Sequence, residues 1–156
     1  MRRMSLATAP YADLTPDVVL NAIDAAGLAT TGTLLALNSY ENRVFQLGVD
    51  HGEHRFVVAK FYRPGRWTDA QILEEHAFTQ QLARAEVPAV PPLAIDGRTL
   101  HRAAGHRFAV YPRRGGRAPE LEERSVREWL GRFIGRIHVA GAASGYVHRP
   151  ALDVET

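Results

Sequence analysis

The stretch Phe56-Val57-Val58-Ala59-Lys60-Phe61-Tyr62 constrains this chain more than any other. It is crowded with β-branched and aromatic residues, which suit a pleated, half-buried surface, so it is read as a β-strand. A strand's backbone N–H and C=O groups need neighbours, and the sequence just before it supplies them. Leu34, Leu35 and Leu37 form a short apolar run, Asn38-Ser39-Tyr40-Glu41-Asn42 is a polar turn, and Val44, Phe45 and Leu47 resume before turn residues from Gly48 to Gly52. Three strands with connections this short predict an antiparallel meander.

Helical signals flank the meander. Thr15 suits an N-cap and Pro16 the first helical position. Val19, Ala22, Ile23 and Ala26 follow at helical spacing, which predicts a helix over about 16–26 that Gly27 can end. After Pro64-Gly65, Thr68 with Gln71 three residues later predicts a capping box and a helix over about 69–85. Leu93–Ile95 and Thr99–His101 flank Asp96-Gly97, a hairpin signal. His106–Tyr111 reads as a strand stopped by Pro112, followed by a basic loop containing Arg113, Arg114 and Arg117. Val126, Trp129, Leu130, Phe133, Ile134 and Ile137 then lie on one face of a helix over about 122–140, with Gly141 as a candidate cap. Residues 1–12 and the tail to Thr156 carry no periodic pattern. The element order predicts an α+β fold with an antiparallel sheet.

Composition narrows the function. The chain has 156 residues and no cysteine, so disulfides and thiolate metal sites are excluded. No apolar run approaches the roughly 18 residues of a membrane span, and MRRMSLATAP is not a secretory signal, so no membrane partner and a cytoplasmic location are expected. The formal net charge of +2 is too even to indicate nucleic acid, and the basic loop has only Tyr111 beside it as an aromatic. A solvated linker is the reading preferred for that loop. Histidine spacing offers no metal motif. Of 19 basic residues 18 are arginine, and Lys60 is the single lysine. Arginine and lysine differ most where a compact point charge must enter a confined site.

Side chains alternate along a strand, so Lys60 shares a face with Phe56, Val58 and Tyr62. An ammonium in that company calls for a partner. On the following helix, Glu75 lies near the centre of the arc made by Ile72, Phe78 and Leu82, with Glu74 about 100° away as the second candidate. These positions suggest a Lys60–Glu75 ion pair. A snorkelling edge-strand lysine and a solvated helix glutamate remain the plainer alternative.

A strand lysine, a helix carboxylate about 15 residues later, a further strand, a linker and an apolar helix resemble the N-lobe of a kinase. The match is to the aminoglycoside phosphotransferase/choline kinase-like superfamily. Within it, the chain resembles the bacterial stress response kinase A family of Ser/Thr protein kinases. The stretches that carry the resemblance include Leu37–Val44, Phe56–Val58, Lys60–Pro64, Arg66–Thr68, Gln71–His76, Phe108–Val110, Gly115–Arg117, Gly131-Arg132, Gly135-Arg136 with His138, and His148–Pro150. The strand carries one extra residue near Ala59 relative to the family's usual run.

The resemblance implies roles. Lys60 would hold the α- and β-phosphates of ATP, and Glu75 would hold Lys60. The turn Asn38, Ser39, Tyr40, Glu41 and Asn42 would cover the phosphates, with Ser39 touching the nucleotide by hydroxyl or backbone N–H. Phe108–Arg113, including Tyr111, would flank the adenine. Residues 1–12 are expected to be a flexible arm, 13–112 a kinase-like N-lobe, 113–121 a hinge, and 122–156 the start of a C-lobe. The family's H-G-D-x-x-x-x-N stretch is absent, and none of the seven aspartates stands in such a motif. The chain is therefore read as a truncated kinase, holding no catalytic base and no Mg²⁺ ligand of its own. The implied activity of the parent is transfer of the ATP γ-phosphoryl to protein Ser/Thr with Mg²⁺, the full-length protein being a monomer. The alternatives are a small-molecule kinase of the same fold, acting on an aminoglycoside or amino alcohol, and a non-catalytic binding module.

Overall fold

A computed structural model describes residues 10–151 of the chain. Most of the expected arm, and residues 152–156, lie outside the described residues; Pro10–Asp13 form a turn. The element order is α1 (Pro16–Ala25), β1 (Thr30–Leu37), β2 (Arg43–His51), β3 (His54–Phe61), α2 (Asp69–Arg84), β4 (His101–Ala103), β5 (His106–Pro112) and α3 (Arg124–Ala142). The strands form one antiparallel sheet in the order β1-β2-β3-β5-β4. β3 is thus an interior strand. Lys60 stands opposite Val44 on β2 and Ala109 on β5, which removes the edge-strand alternative for it.

The two faces of the sheet differ as the alternation requires. Val57, Ala59 and Phe61 of β3 are buried with Phe45, Leu47, Phe108 and Val110 against Val19, Ala22 and Ile23 of α1. Phe61 and Phe108 stack with centroids 5.0 Å apart. Burying these side chains supplies the main stabilisation of the fold, at roughly 1.5–3 kcal/mol for each large one. The opposite face carries Lys60 with Tyr62, Ala109 and Tyr111, and Ile72 of α2 packs against it. Gly48 on β2 lies under an irregularity in β1, where a Cβ would collide with the Thr31 hydroxyl.

Thr68 caps α2 as its spacing with Gln71 predicts. The Thr68 N–H donates to Gln71 Oε1 at 2.9 Å, and the Gln71 N–H donates to Thr68 Oγ1 at 3.2 Å. This reciprocal pair satisfies two groups that a helix start leaves unpaired. It also fixes the phase of α2, and therefore the direction in which Glu75 points.

Two local expectations need correction. The Asp96-Gly97 turn forms, with φ of 49° and 73°, but it closes only the single bridge Ile95–Arg98. The hairpin proper joins β4 to β5 through Ala104-Gly105, with φ of 49° and 78°. Both dipeptides adopt positive φ at both positions, the condition for the tight turn that matches strand twist. The residues flanking the second turn pair in register at three positions, whereas those flanking the first form one bridge, and Leu93 before it bonds instead to the Val110 carbonyl of β5. Gly141 does not cap α3, which continues to Ala142 with Ala143 as C-cap. Gly141 instead lies under Phe78 of α2, where a Cβ would stand 3.7 Å from the ring.

α3 presents an apolar stripe without a covering layer among the described residues. No residue of α3 is buried; Trp129 is 52% exposed, and it stacks on Phe133 at 5.7 Å.

Candidate functional site

The site begins with two elements whose phases are set locally. β3 turns Lys60 toward α2, and the capped α2 turns Glu75 toward β3. Lys60 Nζ donates to Glu75 Oε1 at 2.6 Å. The ammonium also lies 4.8 Å from the centroid of the Tyr62 ring, a cation–π contact. The Lys60 and Glu75 side chains are 23% and 30% exposed, so the pair is open to solvent on one side. An ammonium has three donors. Among the described residues, Glu75 is the one hydrogen-bond acceptor recorded for it.

Burial alone would raise the Glu75 carboxyl. The Lys60 hydrogen bond and charge, with the charge of Arg149, outweigh burial and hold it below the usual carboxylate range. Glu75 is thus an anion at neutral pH, held between two cations.

The second cation comes from the far end of the chain. The Arg149 guanidinium donates to the other oxygen of Glu75. It lies 4.2 Å over the Trp67 ring, and its Nε donates to the carbonyl of Gln71 at 3.0 Å. Glu74, the neighbouring carboxylate, does not face Lys60. It accepts the backbone N–H groups of Val147, His148 and Arg149 at 2.6, 2.9 and 2.8 Å. Burial opposes the charge on Glu74, but these backbone donors lower its pKa overall. Adjacent glutamates about 100° apart on α2 therefore serve different segments, one β3 and one the tail. His148–Pro150 is one of the stretches that carry the family resemblance, and its own pattern implies no role. Nothing in the local pattern connects residues 74 positions apart.

A buried polar chain runs beneath the pair. Tyr62 Oη meets His76 Nε2 at 2.7 Å and Tyr111 Oη at 3.2 Å, and His76 Nδ1 meets Thr99 Oγ1 at 2.8 Å. Burial lowers the His76 pKa to about 4, with Glu75 opposing that shift, so the ring is neutral at pH 7. With both ring nitrogens engaged, a neutral imidazole donates at one and accepts at the other. Burial raises Tyr62, and raises Tyr111 to about 12. Tyr111 thus joins the pair through Tyr62. His76 and Thr99 carried no sequence signal beyond a histidine on the helix.

The Asn38–Asn42 turn connects to this arrangement through Trp67, which bonds to Glu41 and lies under Arg149. Ser39 Oγ donates to the Asn42 carbonyl at 2.7 Å, which closes the turn on itself. Tyr40 projects fully into solvent. Glu41 accepts Arg66 Nε at 3.2 Å and Trp67 Nε1 at 3.0 Å. The Asn42 side chain accepts the Arg63 N–H at 3.3 Å. Among the described residues, none hydrogen-bonds to the Asn38 side chain. Tyr11 Oη donates to the Glu41 carbonyl at 3.0 Å. The turn is therefore held from both sides, by the segment before α1 and by the segment before α2.

Comparison with known proteins places these residues in context. Residues 33–156 match the phosphotransferase enzyme family designated APH. Stress response kinase A of Escherichia coli O157:H7 is 44% identical over 144 residues, covering 92% of this chain and 43% of that protein. A protein of Salmonella typhimurium named serine/threonine protein kinase RdoA is 41% identical over the same share of each. This chain spans less than half the length of these relatives. Among solved structures, an amicoumacin kinase, hAmiN, in complex with AMP-PNP, Ca²⁺ and Ami superposes with a TM-score of 0.67 at 23% identity, covering 86% of this chain and 42% of that one. That likeness shows the fold: a five-stranded antiparallel sheet with its helices, arranged as a kinase-like N-lobe running on to the first helix beyond it.

Proposed function

The chain belongs to the phosphotransferase enzyme family, and from that premise we propose that it is the ATP-binding part of a kinase. One observation carries the reading. The only lysine of the chain stands on an interior strand, paired with Glu75 at 2.6 Å, on a side chain that remains 23% exposed. A structural ion pair would be as well served by arginine, which this chain uses at every other basic position. A lysine held by one carboxylate keeps donors for a second anion, and the α- and β-phosphates of ATP are the anions this family handles.

The remaining roles follow from that placement. Glu75 fixes the position of the ammonium and lowers the entropic cost of presenting it to phosphate. Ser39 spends its hydroxyl on the Asn42 carbonyl, so contact between the 38–42 turn and the phosphates falls to backbone N–H groups, which form anion-binding concavities. Asn38 and the exposed Tyr40 stand on that turn. Glu41 and Asn42 hold the turn in place rather than meeting the nucleotide. Backbone groups of β5 and the linker after it, with Tyr111 behind them, flank the adenine. Residues 13–112 act as the nucleotide lobe, 113–121 as a hinge and 122–156 as the start of the second lobe. The catalytic base and the Mg²⁺ ligands are assigned to sequence outside these 156 residues. Bound ATP supplies the γ-phosphoryl group, and bound Mg²⁺ neutralises charge on it.

For the parent protein we favour transfer to protein Ser/Thr, because the curated relatives at 41–44% identity include one named serine/threonine protein kinase. The small-molecule reading rests on hAmiN, at 23% identity. The test is radiolabelled phosphoryl transfer from ATP by the full-length protein, offered protein acceptors and aminoglycoside or amino-alcohol acceptors in parallel. Labelling of protein serine or threonine is expected. Labelling of the small molecules alone would overturn the acceptor assignment, and no transfer to either would overturn the kinase reading.

A further inference from the structure

One charged group of the site, Arg149, does not itself face the proposed phosphate position. Arg149 lies 74 residues beyond Glu75, yet its guanidinium shares that carboxylate with Lys60. We propose that Arg149 is a positioning residue for phosphoryl transfer: it holds Glu75 in the orientation that presents Lys60 to the phosphates, and ties that orientation to the segment following α3. The inference rests on the phosphate-binding role proposed for Lys60.

Three features argue for positioning rather than incidental contact. First, Arg149 is itself held on several sides. Trp67 stacks under its guanidinium, the Gln71 carbonyl accepts its Nε, and its backbone N–H donates to Glu74. A planar fork fixed in this way imposes a direction on the carboxylate it meets, which a free surface cation would not do. Second, its support reaches the phosphate-covering turn. Trp67 donates Nε1 to Glu41 at 3.0 Å, so Arg149, Trp67 and the 38–42 turn form one connected unit around Glu75. Third, the contact between α2 and α3 does not need Arg149. Gln81 bonds to the Ala140 carbonyl, Ser144 and Tyr146, and Phe78 meets Tyr146 edge-on at 5.9 Å. Removing the guanidinium therefore leaves the helix packing in place and removes its grip on Glu75.

The titratable and charged groups around Glu75 are Lys60 from β3, Tyr62 just after that strand, Tyr111 from β5, His76 on its own helix and Arg149 from beyond α3. Of these, Lys60 and Arg149 carry charge at neutral pH, so loss of Arg149 leaves Glu75 easier to protonate. An arginine that only braced the tail against α2, without acting on Glu75, would not move the pH profile of nucleotide use.

The experiment compares Arg149→Met, Arg149→Lys, Glu74→Gln and Lys60→Met in the full-length protein. The readouts are steady-state turnover of MgATP across pH 4–8 and calorimetric binding of AMP-PNP. Arg149→Met is expected to lower kcat/KM for ATP about 10- to 100-fold, the scale of a small misplacement of a reacting group. It is also expected to shift the acid limb of the profile to higher pH. Arg149→Lys should recover part of the loss, because an ammonium meets Glu75 without the stacked fork. Wild-type kcat/KM and an unmoved acid limb in Arg149→Met, beside lost turnover in Lys60→Met, would overturn the inference and leave the phosphate reading standing. Full turnover in Lys60→Met would overturn both. If Arg149→Met does not fold, Glu74→Gln carries the test, because it loosens residues 147–149 without touching Glu75. A shifted acid limb in that variant supports the inference, and an unmoved one overturns it.

Discussion

Replacing Lys60 by methionine in a full-length protein that carries this chain should separate stability from function. The structure sets the cost to the fold. The pair is neither a surface contact, typically worth 0.2–1 kcal/mol, nor a fully buried one, whose breaking costs 3–5 kcal/mol. Its side chains are 23% and 30% exposed, and Glu75 keeps Arg149 when the lysine goes. The carboxylate is not stranded, so a loss of about 1–2 kcal/mol is expected. The catalytic loss should be larger. One preorganised charge at the transferring group carries about 3 kcal/mol or more, which is about a hundredfold in rate. Lys60→Arg should fail nearly as badly. The site already holds one guanidinium on the other oxygen of Glu75, and Tyr62 lies 4.8 Å beneath the ammonium. A second planar fork cannot serve Glu75 and the phosphates at once. Steady-state phosphoryl transfer, with circular dichroism and Tm as controls for folding, decides the matter. Wild-type turnover in Lys60→Arg would refute the phosphate role and return Lys60 to an ordinary strand cation.

Purified protein limited to residues 1–156 should show no phosphoryl transfer, because the base and metal motif is absent from it; ATP-dependent labelling free of contaminating kinase would contradict this. The same protein should self-associate or bind a hydrophobic dye through the α3 stripe, where Trp129 and Ile134 are 52% and 43% exposed; a sharp monomer in ultracentrifugation without dye fluorescence would count against it. His76 should make stability fall on acidification. Its folded pKa of about 4 lies below the ordinary 6.5, so the unfolded chain binds the proton first as pH falls. The loss therefore begins near pH 6.5 and levels off near pH 4, amounting to at most about 3 kcal/mol. Urea unfolding at pH 7 and pH 5 measures it, and a His76→Gln variant with the same pH slope as wild type would refute the assignment.

Much of the fold was legible because its signals are local. Alternation placed Lys60 and Val57 on opposite faces of one strand. Thr68 and Gln71 set the phase of α2, and helical periodicity then pointed Glu75 toward that strand. Spacing thus suggested the 2.6 Å pair beside the plainer alternative of two solvated charges, and the resemblance to a kinase N-lobe favoured the pair. The position of Lys60 on an interior strand was less accessible, since strand order depends on β5, about 50 residues later, entering beside β3. The polar chain of Thr99, His76, Tyr62 and Tyr111 and the reach of Arg149 to Glu75 were decided by tertiary structure alone. Their members lie on separate elements, and each looks ordinary in its own segment. Periodicity reports which face a residue occupies, because that depends on backbone geometry over a few residues. It does not report what arrives at that face from 74 residues away, because that depends on how α3 and the segment after it pack back onto α2.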